Sequence, residues 1–425
     1  MRVAVAGAGW AGLSAAVELA SAGVSVDVFE AARVAGGRAR RVTLDGVDLD
    51  NGQHILLGAY RETLRVIRLA GANPDALFLR MPLELVFPGE FALKTPRLPA
   101  PLHLLAGLVS AHGLTIPDKL GAIKFMISQR LGGFRQDIDT SVAALLRTHH
   151  QPSRVVRFLW EPLCIAALNT AMEEASARVF LTVLRDAFTQ ARADSDLLIP
   201  RVDLGAAFPD VAMAHVAGHG GRIRPGCAVT AMARDGVGFA VAGGSVSEYF
   251  DAIVCAVPPY RAAPLLAHMH PDLSAALGRF VYEPVVTCYL QYPVSVILPR
   301  PMIGMSASIG QWAFDRGQLG GPAGLIAVVV SAAARLREID SHTLTDAIHR
   351  ELAAIVRDLP DPIWQRVITE RRATFRCLPG IARPATVAAP GLYLAGDHVE
   401  NGYPATLEGA VRSGVSAARA VLRGR

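Results

Sequence analysis

Charge is thin in this 425-residue chain, and cysteine is thinner. Charged residues make up 19% of it and the net charge is +5, with the basic residues scattered, which argues against nucleic acid as a partner. The five cysteines, Cys164, Cys227, Cys255, Cys288 and Cys377, contain no CxxC pair and leave one over in any disulfide scheme. They suggest no metal site and fit a reducing cytosol. There is no internal repeat and no low-complexity tail. No targeting segment is expected either, because the apolar N-terminus is broken by Gly7, Gly9 and Gly12. From Leu98 to Pro117 there are 20 residues without a charge, yet Pro99, Pro101, His103, Gly107, His112 and Gly113 interrupt them. That stretch is expected to lie on a membrane without crossing it.

What the chain has in excess is apolar surface. Hydrophobic residues make up 52% and the mean hydropathy is +0.33, which calls for a greasy ligand or a membrane surface. The length exceeds what one core supports, so two lobes sharing a cleft are expected.

Arg2 to Ala6 reads as a buried strand, Trp10 to Ala22 as a helix and Ser25 to Glu30 as a second strand, a βαβ unit of about 30 residues. Helical spacing recurs at 60–70, at 119–131 and within 140–193, so the middle of the chain reads as mainly α. Strand character returns at 222–257 and 281–332, helix at 342–357, and a strand at Gly391 to Ala395 precedes a closing helix over 404–422. Between the first strand and helix lies Gly7-Ala8-Gly9-Trp10-Ala11-Gly12. Gly7 permits the tight turn, Gly9 lets backbone approach a pyrophosphate, and Gly12 lets helix and strand pack closely. The anion then sits on free N–H groups at a helix N-terminus. Glu30, eighteen residues after Gly12, is placed to accept from a ribose hydroxyl and would repel a 2′-phosphate.

Gly36-Gly37-Arg38 comes next after that acid. It resembles the GG-Arg motif of the amine oxidase and phytoene desaturase flavoprotein superfamily, a likeness that selects FAD. Paired glycines give a second close backbone approach, and Arg38 offers a planar fork of donors to the diphosphate. Arg40 and Arg41 stand before Thr43, where the superfamily usually carries a hydroxyl sooner. Near the other end, Leu392 to Asp397 is a strand closing in Gly396-Asp397. The resemblance implies that Asp397 accepts a ribityl hydroxyl, that Thr406, Leu407 and the residues after them present helix N–H groups to the flavin pyrimidine edge, and that Val229 contacts adenine. No cysteine lies in 397–409, so FAD is expected to be held non-covalently.

Two further stretches narrow the resemblance: Asp48 to Tyr60, containing Asn51-Gly52-Gln53-His54, and Trp160-Glu161-Pro162-Leu163-Cys164-Ile165-Ala166-Ala167-Leu168-Asn169-Thr170. Both are similar to the squalene-associated FAD-dependent desaturases, the group that contains hydroxysqualene dehydroxylase. The resemblance implies an α/β fold with a Rossmann-like FAD-binding domain from 1–75, 215–265 and 385–425, and a mixed α+β substrate-binding domain from 76–214 and 266–384. It also implies a reductive loss of the hydroxyl of hydroxysqualene, an unnamed electron donor, and a cytoplasmic protein peripheral to the inner face of the cell membrane. The apolar segments 77–117 and 160–183 would then line a tunnel for the isoprenoid. The leaving hydroxyl needs an acid, and His54 is the first candidate, with Gln53 orienting it or the hydroxyl; Glu161 is the second. A structural His54 bonded to backbone is an equal alternative. A carotenoid desaturase and a flavin amine oxidase are the rival enzymes; Thr406 speaks against the latter, which commonly has an aromatic there. A lipid carrier on a degenerate flavin fold is the rival outside enzymology.

Overall fold

The computed structural model describes residues 1–44, 46–306 and 309–424; the other positions, including Arg425 at the end of the 385–425 stretch, lie outside the described residues. The first strand, Arg2–Ala6, is almost wholly Val and Ala and is buried on both faces, as a central parallel strand must be. It is flanked by Ser25–Glu30 and Ala252–Cys255, both parallel to it. Arg222–Pro225 and Leu392–Leu394 extend the sheet on the two sides, and Val387–Ala389 closes one edge antiparallel. Six strands from widely separated parts of the chain thus form one sheet. The first helix, Trp10–Ser21, packs between this sheet, the helix Pro209–Gly218 and the closing helix Leu407–Arg423. A three-stranded antiparallel meander, Val229–Asp235, Gly238–Gly243 and Val246–Phe250, sits beside it.

The second lobe is built on a five-stranded antiparallel sheet in the order Met302–Gly304, Trp312–Asp315, Leu325–Val330, Tyr282–Gln291, Trp364–Phe375. One face carries Val286, Cys288 and Leu290 against Leu344, Ile348 and Leu352 of the helix Ser341–Ala353. The other face joins a helical layer between 102 and 188 in a separate large core. That layer includes Ile116–Leu131, whose start is fixed by a Thr115–Asp118 capping box.

The βαβ unit, the helices near 60–70 and 119–131, and the closing helix all stand close to where sequence periodicity puts them, whereas several elements escape it, the strands Phe78–Met81, Glu84–Phe87 and Phe91–Lys94 and the following three among them. Trp364–Phe375 is an edge strand carrying Arg366, Glu370, Arg371 and Arg372, charges that an edge tolerates and that mask the alternation. Leu197–Pro200 is a strand where no element was expected; a four-residue apolar run has no period to read. The helix Pro209–Gly218 is the third.

The stretch Trp160 to Thr170 resolves into a staple between the lobe's layers. Asn169 ends the helix Glu161–Leu168 in the left-handed region, with φ +46°. Its amide donates to Thr374 Oγ1 at 3.0 Å and Glu283 O at 3.3 Å, and its Oδ1 accepts from the Ala332 N–H at 2.7 Å. Thr170 Oγ1 accepts from the Cys377 N–H at 3.0 Å. Asn169→Ala should lower unfolding stability in urea by about 2 to 3 kcal/mol, through lost hydrogen bonds and left-handed strain. Asn169→Gly removes the bonds but not the conformational freedom, so a Gly variant as stable as the parent would mean that the staple contributes nothing.

Candidate active site

The two glycine loops form one cradle. Gly7 takes φ +106°, and a side chain at Gly12 would put its Cβ 1.9 Å from Gly7 O, so only hydrogen fits there. At Gly37 a Cβ would come within 3.2 Å of Gly9 Cα, and Gly9 pairs with Gly36 as an isolated bridge. The loops therefore touch backbone to backbone, and the Trp10 indole donates to Ala39 O at 3.0 Å to hold them together. Glu30 stands at the end of its strand as expected. Its two carboxylate oxygens accept from the N–H groups of Ala8 and Ala32, at 2.7 and 2.8 Å, so it also anchors the first loop. Cys227 donates its N–H to Glu30 O at 2.7 Å, which brings the half-buried Val229, two residues on, to the same end of the sheet.

Arg38 and Asp397, 359 residues apart, meet: the guanidinium donates to the carboxylate at 2.6 Å and to Ala373 O at 2.9 Å. Burial pushes the Asp397 carboxyl up, but Arg38 and the adjacent His398 overcome it and hold it well below the usual carboxylate range. The loop after Asp397 is wrapped around Arg383, which donates to the carbonyls of Asp397, Val399 and Tyr403, each at 2.6 Å. A Cβ at Gly396 would strike the His398 ring at 2.4 Å.

Where the closing helix starts, the expected N–H supply is smaller than the sequence suggested. Thr406 spends its own N–H on Pro404 O at 2.8 Å and caps the Gly409 N–H with its hydroxyl at 3.1 Å, while Ala410 donates to Thr406 O. Thr406 is thus a helix cap, and the N–H groups of Leu407 and Glu408 are the ones the helix itself does not use. Glu408 turns away: its buried carboxylate accepts from the N–H groups of Glu62 and Thr63, the Thr63 hydroxyl and Arg412, capping the helix Arg61–Leu69.

The Asp50 to His54 loop enters beneath the second-lobe sheet. Its strand end is held by Tyr289, whose hydroxyl donates to Asp50 O at 3.0 Å. The Asp50 carboxyl accepts from the Leu204 N–H at 2.7 Å, and burial raises it to about 6. Gln53 is buried, and its Oε1 accepts from Arg316 at 3.0 Å. His54 Nδ1 faces Gly52 O at 2.5 Å; a carbonyl only accepts, so Nδ1 carries the hydrogen and Nε2 is left as an acceptor. Burial lowers the His54 pKa, which favours that neutral ring. Beside it, the buried Thr287 hydroxyl has no hydrogen-bond partner among the described residues, and both Thr287 Oγ1 and His54 Cε1 come within 3.7 Å of the position a Gly52 Cβ would take. Glu161 is elsewhere. It is half-buried in the helical layer, raised by burial and by Glu173, and among the described residues it makes no hydrogen bond or ion pair. Thr287, Arg316, Arg383 and His398 carry no motif that could have marked them in the sequence.

A profile of flavin containing amine oxidoreductases matches residues 10–422. Over 99% of its length the chain is 31% identical to a hydroxysqualene dehydroxylase of Rhodopseudomonas palustris, covering 98% of that protein. It is 25% identical to a 15-cis-phytoene desaturase of Solanum lycopersicum, over 100% of this chain and 78% of that one. Among solved structures, an oxidoreductase from Methanosarcina mazei superposes with a TM-score of 0.77 at 15% identity, over 99% of this chain and 100% of the other, a likeness of fold.

Gly12→Val should purify without flavin, read as loss of the yellow absorbance, because the 1.9 Å clash separates the helix from its loop. Asp397→Ala should remain folded and bind FAD about tenfold or more weakly. An unchanged FAD dissociation constant would take Asp397 out of the cradle.

Proposed function

We propose, from the premise that the chain belongs to the flavin containing amine oxidoreductases and is an FAD-dependent oxidoreductase, that it removes the allylic hydroxyl of hydroxysqualene reductively and releases squalene and water. The full-length relationship to a hydroxysqualene dehydroxylase carries this reading. The residues fit FAD, since Gly7, Gly12, Gly36 and Gly37 have no room for a side chain against the neighbouring backbone, while at Gly9 a Cβ would meet only Gly37 Cα at 3.9 Å, which leaves that backbone open to a ligand's close approach. In this reading Gly7, Gly9, Gly12, Gly36, Gly37 and Arg38 hold the diphosphate, Glu30 and Val229 the adenosine, and Gly396, Asp397 and Leu407 the ribityl and ring. Residues 1–75, 215–265 and 385–425 form the cofactor side, joined by the helices Leu204–Ala207 and Pro209–Gly218, which share its core. FAD, once bound and reduced, supplies the hydride.

The chain's own task is to hold an alcohol in a greasy pocket and bring a proton to it. The His54 ring and the Thr287 hydroxyl both border Gly52, and in this reading they make a small polar spot for the alcohol. An alcohol satisfies that spot, whereas a hydrocarbon leaves Thr287 unbonded, at a cost of about 1 to 3 kcal/mol. This favours the dehydroxylase over the desaturase that the likeness to phytoene desaturase keeps as the second reading. Gln53, locked by Arg316, positions the loop. His54 in its lowered state donates a proton only after protonation, so a His54-dependent single turnover should quicken as pH falls from about 8 to about 6. Protein reduced by dithionite should convert hydroxysqualene to squalene, and His54→Ala should slow that step about 10²- to 10⁴-fold with FAD content unchanged. Polyenes formed from squalene or phytoene by the oxidised protein would move the assignment to the desaturase.

We also propose that the protein rests on the inner face of the cell membrane. Exposed Leu98, Leu102, Leu105, Val109, Ile116, Leu120, Ile127 and Leu131 line the consecutive helices Leu102–Ser110 and Ile116–Leu131 and the segment before them, with Lys124 and Arg130 exposed among them. Among the described residues no helix is long and apolar enough to cross a membrane. Replacing Leu102, Leu105 and Val109 together with Ser should release the protein from anionic liposomes; Leu104 is half-buried against the core and is left in place. A parent protein that ignores liposomes would end this proposal.

A further inference from the structure

The five-stranded sheet has two faces, and the one turned towards its covering helix is open at one end. There a cavity of about 650 Å³ lies between the start of Tyr282–Gln291, the strand Trp364–Phe375 and the helix Ser341–Ala353. Its floor is apolar, with Pro284, Val286, Leu344 and Val367. Its rim is cationic, with Arg337, Arg371 and Arg372, none of which makes an ion pair among the described residues. Arg372 lies over the Tyr260 ring at 4.1 Å, which fixes its guanidinium at the edge. Up to Arg371 the alternation of Trp364–Phe375 turns Val367, Thr369 and Arg371 to this cavity and Glu370 to Asn51, on the Gly52–His54 side; Arg372 reaches the rim at the bulge opposite Glu283–Val285, where the alternation breaks.

We propose that this cavity binds an apolar chain ending in a phosphate ester, with the chain on the Val286–Val367 floor and the phosphate on the arginines. The size lies within the range of small-molecule sites, and concavity with an apolar floor excludes a bare anion as the preferred occupant. A guanidinium rim selects phosphate over a neutral headgroup, because its planar donor fork matches phosphate oxygens. The nearby helix N-terminus does not compete for the anion: Asp340 already caps it, accepting from His342 and Thr343. The site is separate from the one that holds the alcohol, and it stands whether or not the proposed reaction does.

Geranyl diphosphate, geraniol and inorganic diphosphate are titrated calorimetrically into the FAD-loaded protein. Geranyl diphosphate should bind saturably and at least about tenfold more tightly than either part alone, since both floor and rim contribute. The paired variant Arg337→Glu and Arg371→Glu should weaken it about tenfold or more, as should Val367→Trp, which fills the floor while the rim stays. All carry exposed or half-buried positions, and their flavin content and melting temperature should stay as in the parent. Competition with dioctanoyl phosphatidylglycerol separates the two sources of this chemistry: displacement by the lipid at lower concentration assigns a membrane phospholipid, and tighter binding of geranyl diphosphate assigns a free prenyl phosphate. Binding of inorganic diphosphate as tightly as geranyl diphosphate, indifference to both variants, or no binding by either amphiphile overturns the proposal.

Discussion

The first helix can reach its neighbours only where side chains are missing. Gly12 lets it rest on Gly7 O, and on its other flank Gly414 lets the closing helix come so near that a Cβ would stand 2.1 Å from Ala11 O. These two backbone contacts fix the first strand, first helix and closing helix as one body, although nearly 400 residues of chain separate its ends. The cofactor cradle depends on that closeness. The closing helix also carries that order one helix further, because its Glu408 caps Arg61–Leu69. A buried carboxylate in that role is supported because donors meet it on several sides, Arg412 included.

Electrostatics then joins what packing has brought near. Arg38 and Arg383 both serve the Asp397 loop and do different things. Arg38 pairs with a carboxylate and bridges the N-terminal and C-terminal halves of the cradle. Arg383 faces mainly neutral carbonyl oxygens, and burial pulls its pKa down, yet a guanidinium keeps its charge there. Its five donors organise one loop of irregular backbone that no strand or helix would satisfy. A lysine, with three donors on a point charge, could not span the same carbonyls.

This explains which features could be read in advance. The glycine fingerprint, Glu30 and the Gly396-Asp397 turn were legible because each couples a local conformation to a nearby element, and local spacing is what a sequence displays. Arg383, Thr287 and Arg316 act across long separations from positions with no pattern of their own. Thr406 and Glu408 were half legible: a helix was expected from 404 and starts at Leu407, and which N–H groups it would keep for itself depended on Pro404 and on a second helix more than 340 residues earlier. Glu161 was chosen because its neighbours in the chain matched a motif. In the same stretch Asn169 and Thr170 tie layers together, whereas Glu161 makes no hydrogen bond or ion pair among the described residues.

The neutral state of His54 bears on how the proposed chemistry is arranged. An acid that must be ready at neutral pH is normally raised or kept near its ordinary value, and burial here does the reverse. The local geometry reinforces the point, since Gly52 O fixes the hydrogen on Nδ1 and presents an acceptor to whatever approaches Nε2. A substrate hydroxyl would therefore meet His54 first as a donor, with Thr287 free to supply the complementary hydrogen to its oxygen. In the proposed reaction that pairing would orient the C–O bond before any proton arrives, and it would make binding and proton delivery separable duties of one residue. Asp50, four residues earlier and held near 6 by burial, is committed through one oxygen to Leu204 and keeps its strand end rigid. The loop is thus held at Asp50 by Leu204, at Asn51 by Glu370 and at Gln53 by Arg316, so the groups whose hydrogen-bonding capacity would be left for a substrate hydroxyl are His54 Nε2 and the Thr287 hydroxyl.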